Sequence, residues 1–538
     1  MKKLILIIIA ILTFHGVSVS QVTQQWVKRY NGGGSDYVQK VLVDKFTGDA
    51  YVTGSSMNTS GNQDFLTIKY NSSGVQKWIR TYNGTGNSYD GTSDMVLDNL
   101  GNVIITGSSR GAGSQQDIVT IKYDQNGNRL WVKRYNGTAN ASDVPLSITV
   151  DMQANVIVTG KSMGMNGATS TSFDILTIKY DYFGNEDWVQ RYNGIDNSID
   201  EAFSVTVDDN NNVYLAGYSY SNLTSNDLTA IKYSSQGSPE WIKKHVTSGI
   251  DAGWKILNNS QAQEIYVTGK SDSKNALLCY DYQGNVKWQA LDYGGLFEMP
   301  MAALNNQGRI LLCNSTALNG TADFMVIVVN PALGGGPSWF DIYNGPGGGA
   351  DFPYAITVDN QNNFYVTGYS QSAGSGIDYA TLKYNMFGSR VWEKRYNNTG
   401  TSANIPVSID TDDNGNVYVT GYSQNLSGDY DFATIKYSQG LILGRNSVEV
   451  PAEFKLHQNY PNPFNPSTNI IFDIPKDSDV KIAVFDMLGR EVQVLANEFK
   501  QAGSYEVNFD ASGMASGTYF YKLTAGSFTD VKKMILIK

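Results

Sequence analysis

Short runs of alternating apolar and polar residues recur along most of the chain. In one clear copy, Asp64-Phe-Leu-Thr-Ile-Lys-Tyr70 is followed by a turn through Gly74 and a run from Trp78 to Tyr82-Asn83-Gly84. An alternating stretch then ends near Asp98, and a turn at Gly101-Asn102 leads into Ile104-Ile105-Thr106-Gly107. The unit starts again at Asp117-Ile-Val-Thr-Ile-Lys-Tyr123. Period-two alternation over these lengths predicts half-buried strands. Each unit predicts four: A near Thr92–Leu97, B at Val103–Thr106, C at Ile118–Tyr123 and D at Leu130–Tyr135. The A–B and C–D connections are rich in Asn and Gly, which accept positive φ cheaply and suit hairpins.

The unit recurs through Trp26, Trp78, Trp131, Trp188, Trp241, Trp288, Trp339 and Trp392, with most spacings between 52 and 57 residues. Strand B ends in glycine at Gly54, Gly107, Gly160, Gly217, Gly269, Gly368 and Gly421, and Asn314 takes that place in a degenerate sixth copy. A period near 50 in short strands predicts the blades of an all-β propeller. Eight tryptophan units predict eight blades, or seven if the copy around Arg309–Val329 is incomplete. The chain opens with a lone strand D, Trp26–Tyr30, and the last copy stops after strand C at Tyr437. The N-terminal strand is therefore expected to complete the last blade and leave no free sheet edge. These motifs resemble the bacterial beta-propeller repeat family known as SBBP, over about residues 21–440. The resemblance implies a secreted or surface protein of unknown ligand and implies no enzyme activity.

Residues 1–20 read as a signal peptide: Lys2 and Lys3, an apolar run from Leu4 to Phe14, then a small-x-small site at Ser18-Val19-Ser20. No later stretch is long and apolar enough to predict a transmembrane segment. The formal charge of −10 argues against a nucleic-acid partner, which needs a clustered basic footprint. Cys279 and Cys313 are the only cysteines, which excludes a dense disulfide framework and favours two buried structural thiols.

After a linker at 441–452 the pattern changes. Several short strands within residues 453–538 predict a small Ig-like β-sandwich. The tail resembles the type A C-terminal sorting domain of the type IX (Por) secretion system. The match is carried by Asn459-Tyr460-Pro461-Asn462-Pro463, Val484–Arg490 with Gly489 and Arg490, Gly517-Thr-Tyr519-Phe-Tyr521, and Lys533–Lys538. The resemblance implies a translocon partner, transport across the outer membrane, and a cell-surface or extracellular location. It also implies a diderm bacterium of the Bacteroidota type.

The chemistry available is narrow. His15 falls in the leader, His457 in the tail, and His245 replaces a repeat tyrosine, so no Ser-His-Asp set or two-His metal site can be assembled in the propeller. Two carboxylate series stand out. Asp36, Asp90, Asp143, Asp200, Asp251 and Asp351 precede strand A; Asp64, Asp117, Asp174, Asp227, Asp323, Asp378 and Asp431 open strand C. Antiparallel pairing puts the D–A and B–C connections on one face, so both series belong near one rim. Two readings are open: a cation-attracting mouth, or carboxylates that brace turns. Asp410-Thr-Asp-Asp-Asn-Gly415 matches the first half of a Ca²⁺ loop but has Gly421 where the twelfth-position Glu belongs. No cofactor is expected, with Ca²⁺ the one ion that has a candidate segment. Tyr218, Tyr369 and Tyr422 follow the strand-B glycine and suit either inter-blade packing or ligand stacking. The third B–C connection, Lys161–Phe173, is predicted as a longer loop with individual character. The expected function is non-catalytic binding of an extracellular protein or glycan through this face. The alternatives are a carboxylate-based polysaccharide hydrolase or lyase, and a structural surface-layer component.

Overall fold

The computed structural model describes residues 22–439, 451 and 453–537, apart from 167–168, 273, 292–300, 318–319, 373–375, 399–402 and 501. The predicted leader, most of the predicted linker and Lys538 lie outside the described residues. Residues 22–439 form eight four-stranded antiparallel sheets. Sheet 1 comprises Tyr37–Val43, Ala50–Met57, Gln63–Tyr70 and Gln76–Tyr82 as strands A to D. Sheet 2 comprises Asp90–Leu97, Val103–Arg110, Gln116–Tyr123 and Arg129–Tyr135. Sheets 3 to 7 repeat this order. Strand A of each sheet packs on strand A of the next, and strand A of sheet 8 packs on that of sheet 1. The arrangement is a β-propeller with strand A innermost.

Sheet 8 takes strands A to C from Asn404–Thr411, Val417–Gln424 and Tyr430–Gln439, and its fourth strand is Val22–Tyr30 from the start of the chain, with Val27 opposite Ile435. The same device links this junction and the others. The Trp78 indole donates to the Gln125 carbonyl of the next sheet at 3.0 Å, and Lys69 Nζ donates to that carbonyl as well. At the closing junction Trp26 and Lys436, from opposite ends of the ring-forming chain, both donate to the Ser72 carbonyl. A Cβ on the turn glycine two residues on, Gly127 or Gly74, would lie 2.8 Å from the indole ring. The repeated tryptophans therefore pin neighbouring sheets together.

The strand-B glycine has a steric cause. Strand A carries a β-bulge beside it, as between Thr92 and Asp94 in sheet 2. A Cβ at the seven repeat glycines would fall 1.8–2.3 Å from a strand-A carbonyl oxygen. In sheet 6, strand A (Met301–Leu304) pairs without a bulge over its described residues, and Asn314 stands in place of glycine. Hydrophobic clusters fill the spaces between sheets. Cys279 and Cys313 lie buried in two different ones and form no disulfide.

The predicted loop Lys161–Phe173 takes another form. Val156–Asn166 and Thr169–Tyr180 make an extended hairpin in which Met163 pairs with Phe173 and Met165 with Ser170. The extra residues lengthen the ladder because Ser and Thr at 169–172 accept extended backbone.

The tail forms a three-stranded sheet (Lys455–Leu456, Ser467–Ile474, Gly503–Asp510) and a four-stranded sheet (Glu491–Lys500, Ser478–Phe485, Gly517–Ala525, Phe528–Leu536). They share one core that includes Phe464, Phe472, Val484, Phe509, Tyr521 and Met534.

Candidate functional site

The first carboxylate series is buried. Asp36, Asp90, Asp143, Asp200, Asp251 and Asp351 are each 0–1% exposed. In each, an oxygen accepts from a backbone N–H of the preceding D–A turn: Gly32, Gly84, Gly137, Gly194, Thr247 and Gly345, at 2.6–2.7 Å. Burial pushes the carboxyls of Asp36, Asp90, Asp143, Asp200 and Asp351 above the usual range, and the backbone donors offset part of that. These residues shape the turn. As sequence candidates for a ligand-facing rim they are corrected, since each is enclosed and bonded to its own turn.

The second series is also engaged internally. Arg134 of strand D donates to Asp117 at 2.7 Å and to Ser109 of strand B. Arg191–Asp174, Arg395–Asp378 and Arg29–Asp431 repeat the pair in sheets 3, 7 and 8, and Lys244 lies 3.6 Å from Asp227 in sheet 4. In sheet 1 Thr81 replaces the cation, and Asn58 Nδ2 donates to Asp64 instead. The segment that matches half a Ca²⁺ loop also carries internal bonds. Asp410 pairs with Lys45 at 2.5 Å, and Asp412 accepts from Asn414 N, Asn416 N and Tyr418 Oη. His245 shares a hydrogen bond with Ser271 Oγ, and burial pushes the Cys279 thiol up to about 12.

The tyrosines behave differently. Tyr369 lies 5.8 Å from Tyr354 and 5.1 Å from Phe352. Tyr422 lies 5.2 Å from Tyr430 and 5.9 Å from Tyr37. The Tyr354–Tyr369 pair and the Tyr37–Tyr422–Tyr430 group lie on the consecutive sheets 7, 8 and 1 and together make an aromatic crescent; burial raises the Tyr422 phenol, and nearby Tyr354, Tyr430 and Tyr37 add to the rise. Burial also pushes Tyr369 up to about 12. Tyr37 and Tyr354 are 41% and 44% exposed. Tyr218 belongs to a separate cluster with Phe203, whose ring is 4.4 Å from Trp254.

Tyr354 and Phe203 occupy the strand-A bulge, and so does Trp254. The next position carries Lys40 in sheet 1, Asp94 in sheet 2 and Lys255 in sheet 5. Lys40 and Asp94 pair at 2.5 Å, and Asp94 also accepts from Ile148 N of sheet 3. Lys255 touches water yet is surrounded by protein; this crowding and then Lys40 lower its pKa, while Asp94 opposes them. With strand A innermost, Lys40, Asp94 and Lys255 stand on the strands nearest the ring axis. Sequence reading missed Tyr37, Tyr354 and Tyr430, because they depart from the repeat. Their signal was that departure.

In the tail, Tyr460 exchanges backbone hydrogen bonds with Asn469, and Asn462 Oδ1 accepts from Ile535 N at 2.9 Å. Tyr460–Pro461 and Asn462–Pro463 are cis. The motif thus braces the last strand, on which Lys533 sits opposite Phe520. Gly489 turns with φ of 78°, and Arg490 pairs with Asp486 at 2.7 Å. Gly517 opens its strand, and Tyr519 Oη donates to the Ala515 carbonyl.

Residues 458–538 match the family model of a secretion system C-terminal sorting domain. The tail is a type IX sorting domain. Residues 187–224 and 391–426 match a beta-propeller repeat. The sorting domain makes this a secreted, cell-surface or extracellular protein that engages the type IX secretion system. Among the described residues, no helix is long and apolar enough to cross a membrane. An uncharacterized WD repeat-containing protein of Acanthamoeba polyphaga mimivirus is 25% identical over 388 residues, 58% of this chain and 26% of its own length. The regulatory protein FlaEY of Caulobacter vibrioides is 26% identical over 188 residues, 30% of this chain and 19% of its own. The chain therefore spans a small part of either curated relative. The periplasmic gluconolactonase PpgL of Pseudomonas aeruginosa is similar with a TM-score of 0.40 and 12% identity, covering 76% of this chain and 98% of that one.

Proposed function

We propose that the propeller ahead of the sorting domain is a non-catalytic binding module, taking an extracellular protein or glycan through the face that carries the D–A and B–C turns. The observation that carries this is the aromatic crescent of Tyr37, Tyr354, Tyr369, Tyr422 and Tyr430. Its rings brace one another, so little side-chain freedom is lost when a ligand packs on them. Aromatic anchors of this kind dominate recognition surfaces. The carboxylates that a hydrolase or lyase would use are, in the repeat, enclosed by their own turns. A structural surface-layer role would leave the crescent without a use.

The test is retention of surface proteins and an oligosaccharide panel on the immobilised full chain. Wild-type protein is expected to retain a saturable ligand, and Tyr354→Ala and Tyr369→Ala to weaken it. Binding indifferent to every crescent substitution would overturn the reading, and so would breakdown of the ligand during incubation.

A further inference from the structure

Just before the strand-A bulge, sheets 1, 3, 4, 5, 7 and 8 place Val38, Pro145, Ala202, Gly253, Pro353 and Pro406. Sheet 2 places Thr92 there. Its Oγ1 is buried and has no hydrogen-bond partner among the described residues. At the bulge itself, where sheets 3 to 5 have Leu146, Phe203 and Trp254, sheet 1 has Gln39. Gln39 is exposed, and its amide makes no hydrogen bond among the described residues. Before the buried Asp, where sheets 1 and 3 have Ser35 and Ser142, the approach to sheet 2 has Tyr89, 50% exposed.

These departures meet at one place. Tyr37, Gln39, Gln63, Tyr89 and Thr92 line a cavity of about 510 Å³ between sheets 1 and 2, on the face of the crescent. Tyr37 is held by Tyr422 and Tyr430. Tyr89 leans over Gly91, where a Cβ would lie 2.6 Å from its hydroxyl, so the glycine makes room for the ring. No charged side chain lines the cavity. A charged ligand group would meet no countercharge there. An uncharged sugar offers what the cavity lacks: C–H faces for the two tyrosines, and hydroxyls for an unspent amide and a buried unpartnered hydroxyl. The volume falls in the range of small-ligand sites.

We propose that the cavity between sheets 1 and 2 is a subsite for a neutral pyranose of an extracellular glycan. The inference rests on the binding-face reading above and narrows it to one ligand class at one junction. Thr92 is the sharpest probe, because replacing an unpartnered hydroxyl by a methyl of the same shape costs a fold nothing.

The test is a panel of neutral oligosaccharides ending in glucose, galactose, mannose or N-acetylglucosamine, beside uronic-acid and sialylated ones, titrated against the full chain. At least one neutral oligosaccharide is expected to bind. Thr92→Val and Gln39→Ala should each weaken it about tenfold, the loss set by one hydrogen bond, with the unfolding midpoint unchanged or raised. Tyr89→Ala should weaken it further. Binding of acidic oligosaccharides alone overturns the proposal, as does neutral-glycan binding that survives all three substitutions. A blank glycan panel with a protein partner released by Tyr354→Ala overturns this subsite and leaves the binding face standing. A blank in both screens overturns both.

Discussion

Sheets 2 and 5 occupy equivalent places in the ring and differ in one charged set. In sheet 2, Arg134 on strand D holds Asp117 on strand C and Ser109 on strand B. In sheet 5 the corresponding residues are Leu291, Lys274 and Ser271. The acid and its guanidinium disappear together. Sheet 8 varies the other carboxylate: Asn404 stands where sheet 2 has Asp90, and it accepts from Ser423 Oγ at 2.6 Å. The comparison separates two grades of constraint. The strand-C carboxylate is matched by a cation in sheets 2, 3, 4, 7 and 8 and by the Asn58 amide in sheet 1, whereas the turn-bracing carboxylate needs only to accept a hydrogen bond.

The largest effect is expected at the glycine that both sheets share. Gly107→Ala would put a Cβ 2.3 Å from the Gly91 carbonyl and 2.6 Å from Phe65. We expect a loss of more than about 4 kcal/mol in urea unfolding, beyond the usual range for single substitutions. Next in size, Arg134→Leu strands Asp117 without its cation. A loss of roughly 2–4 kcal/mol is expected, below the full buried-pair cost because Arg134 is 23% exposed. Adding Asp117→Asn should restore much of it, as sheet 5 manages without either charge; a double variant no better than the single would break the comparison.

Asp90→Asn should change stability at pH 7 by no more than about 1 kcal/mol, because the amide oxygen can still accept from Gly84 N. Its pH dependence has a definite sign. Burial raises the folded-state pKa of Asp90 above that of the unfolded chain. Between those two values the folded protein binds more protons, so stability owed to this group falls as pH rises through the window. Wild type should therefore gain on Asp90→Asn as pH is lowered from neutral through the raised carboxyl value, which paired urea titrations would detect. An unchanged difference would show that Asp90 does not titrate abnormally. The smallest effect is expected from Tyr354→Ala, within about 0.5 kcal/mol in stability for a side chain near half exposed. Ligand retention should fall all the same.

The strands and the period marked by the tryptophans were legible in the sequence because each is set by local pattern repeated many times. Why strand B carries a glycine after its threonine was not, since the reason is a bulge in another strand; nor does the strand end there, as it was expected to, for it runs on to Met57 in sheet 1 and Arg110 in sheet 2. The Lys161–Phe173 segment was misread because polar, small residues signal a loop, yet nothing in them forbids extending a ladder already begun. The two readings of the carboxylates, rim or turn brace, stayed open because sequence shows a charge without its surroundings. The site fared worse for a different reason. Reading by recurrence draws the eye to Asp, Trp and Gly, whereas Gln39, Tyr89 and Thr92 appear once each and show only when the repeat is subtracted.

The junction at Ser72 also fixes an order of events. Trp26 is among the first ring residues to be made, and Lys436, which shares its acceptor, is made 410 residues later. Until that late strand arrives, Val22–Tyr30 has no partner in the ring and sheet 8 cannot be completed. Loop closure over so long a span is slow and comes after the local hairpins have formed. A truncation near residue 430 would leave Val22–Tyr30 without its partner strand, and edge-to-edge association between copies is the expected outcome, read by size-exclusion chromatography.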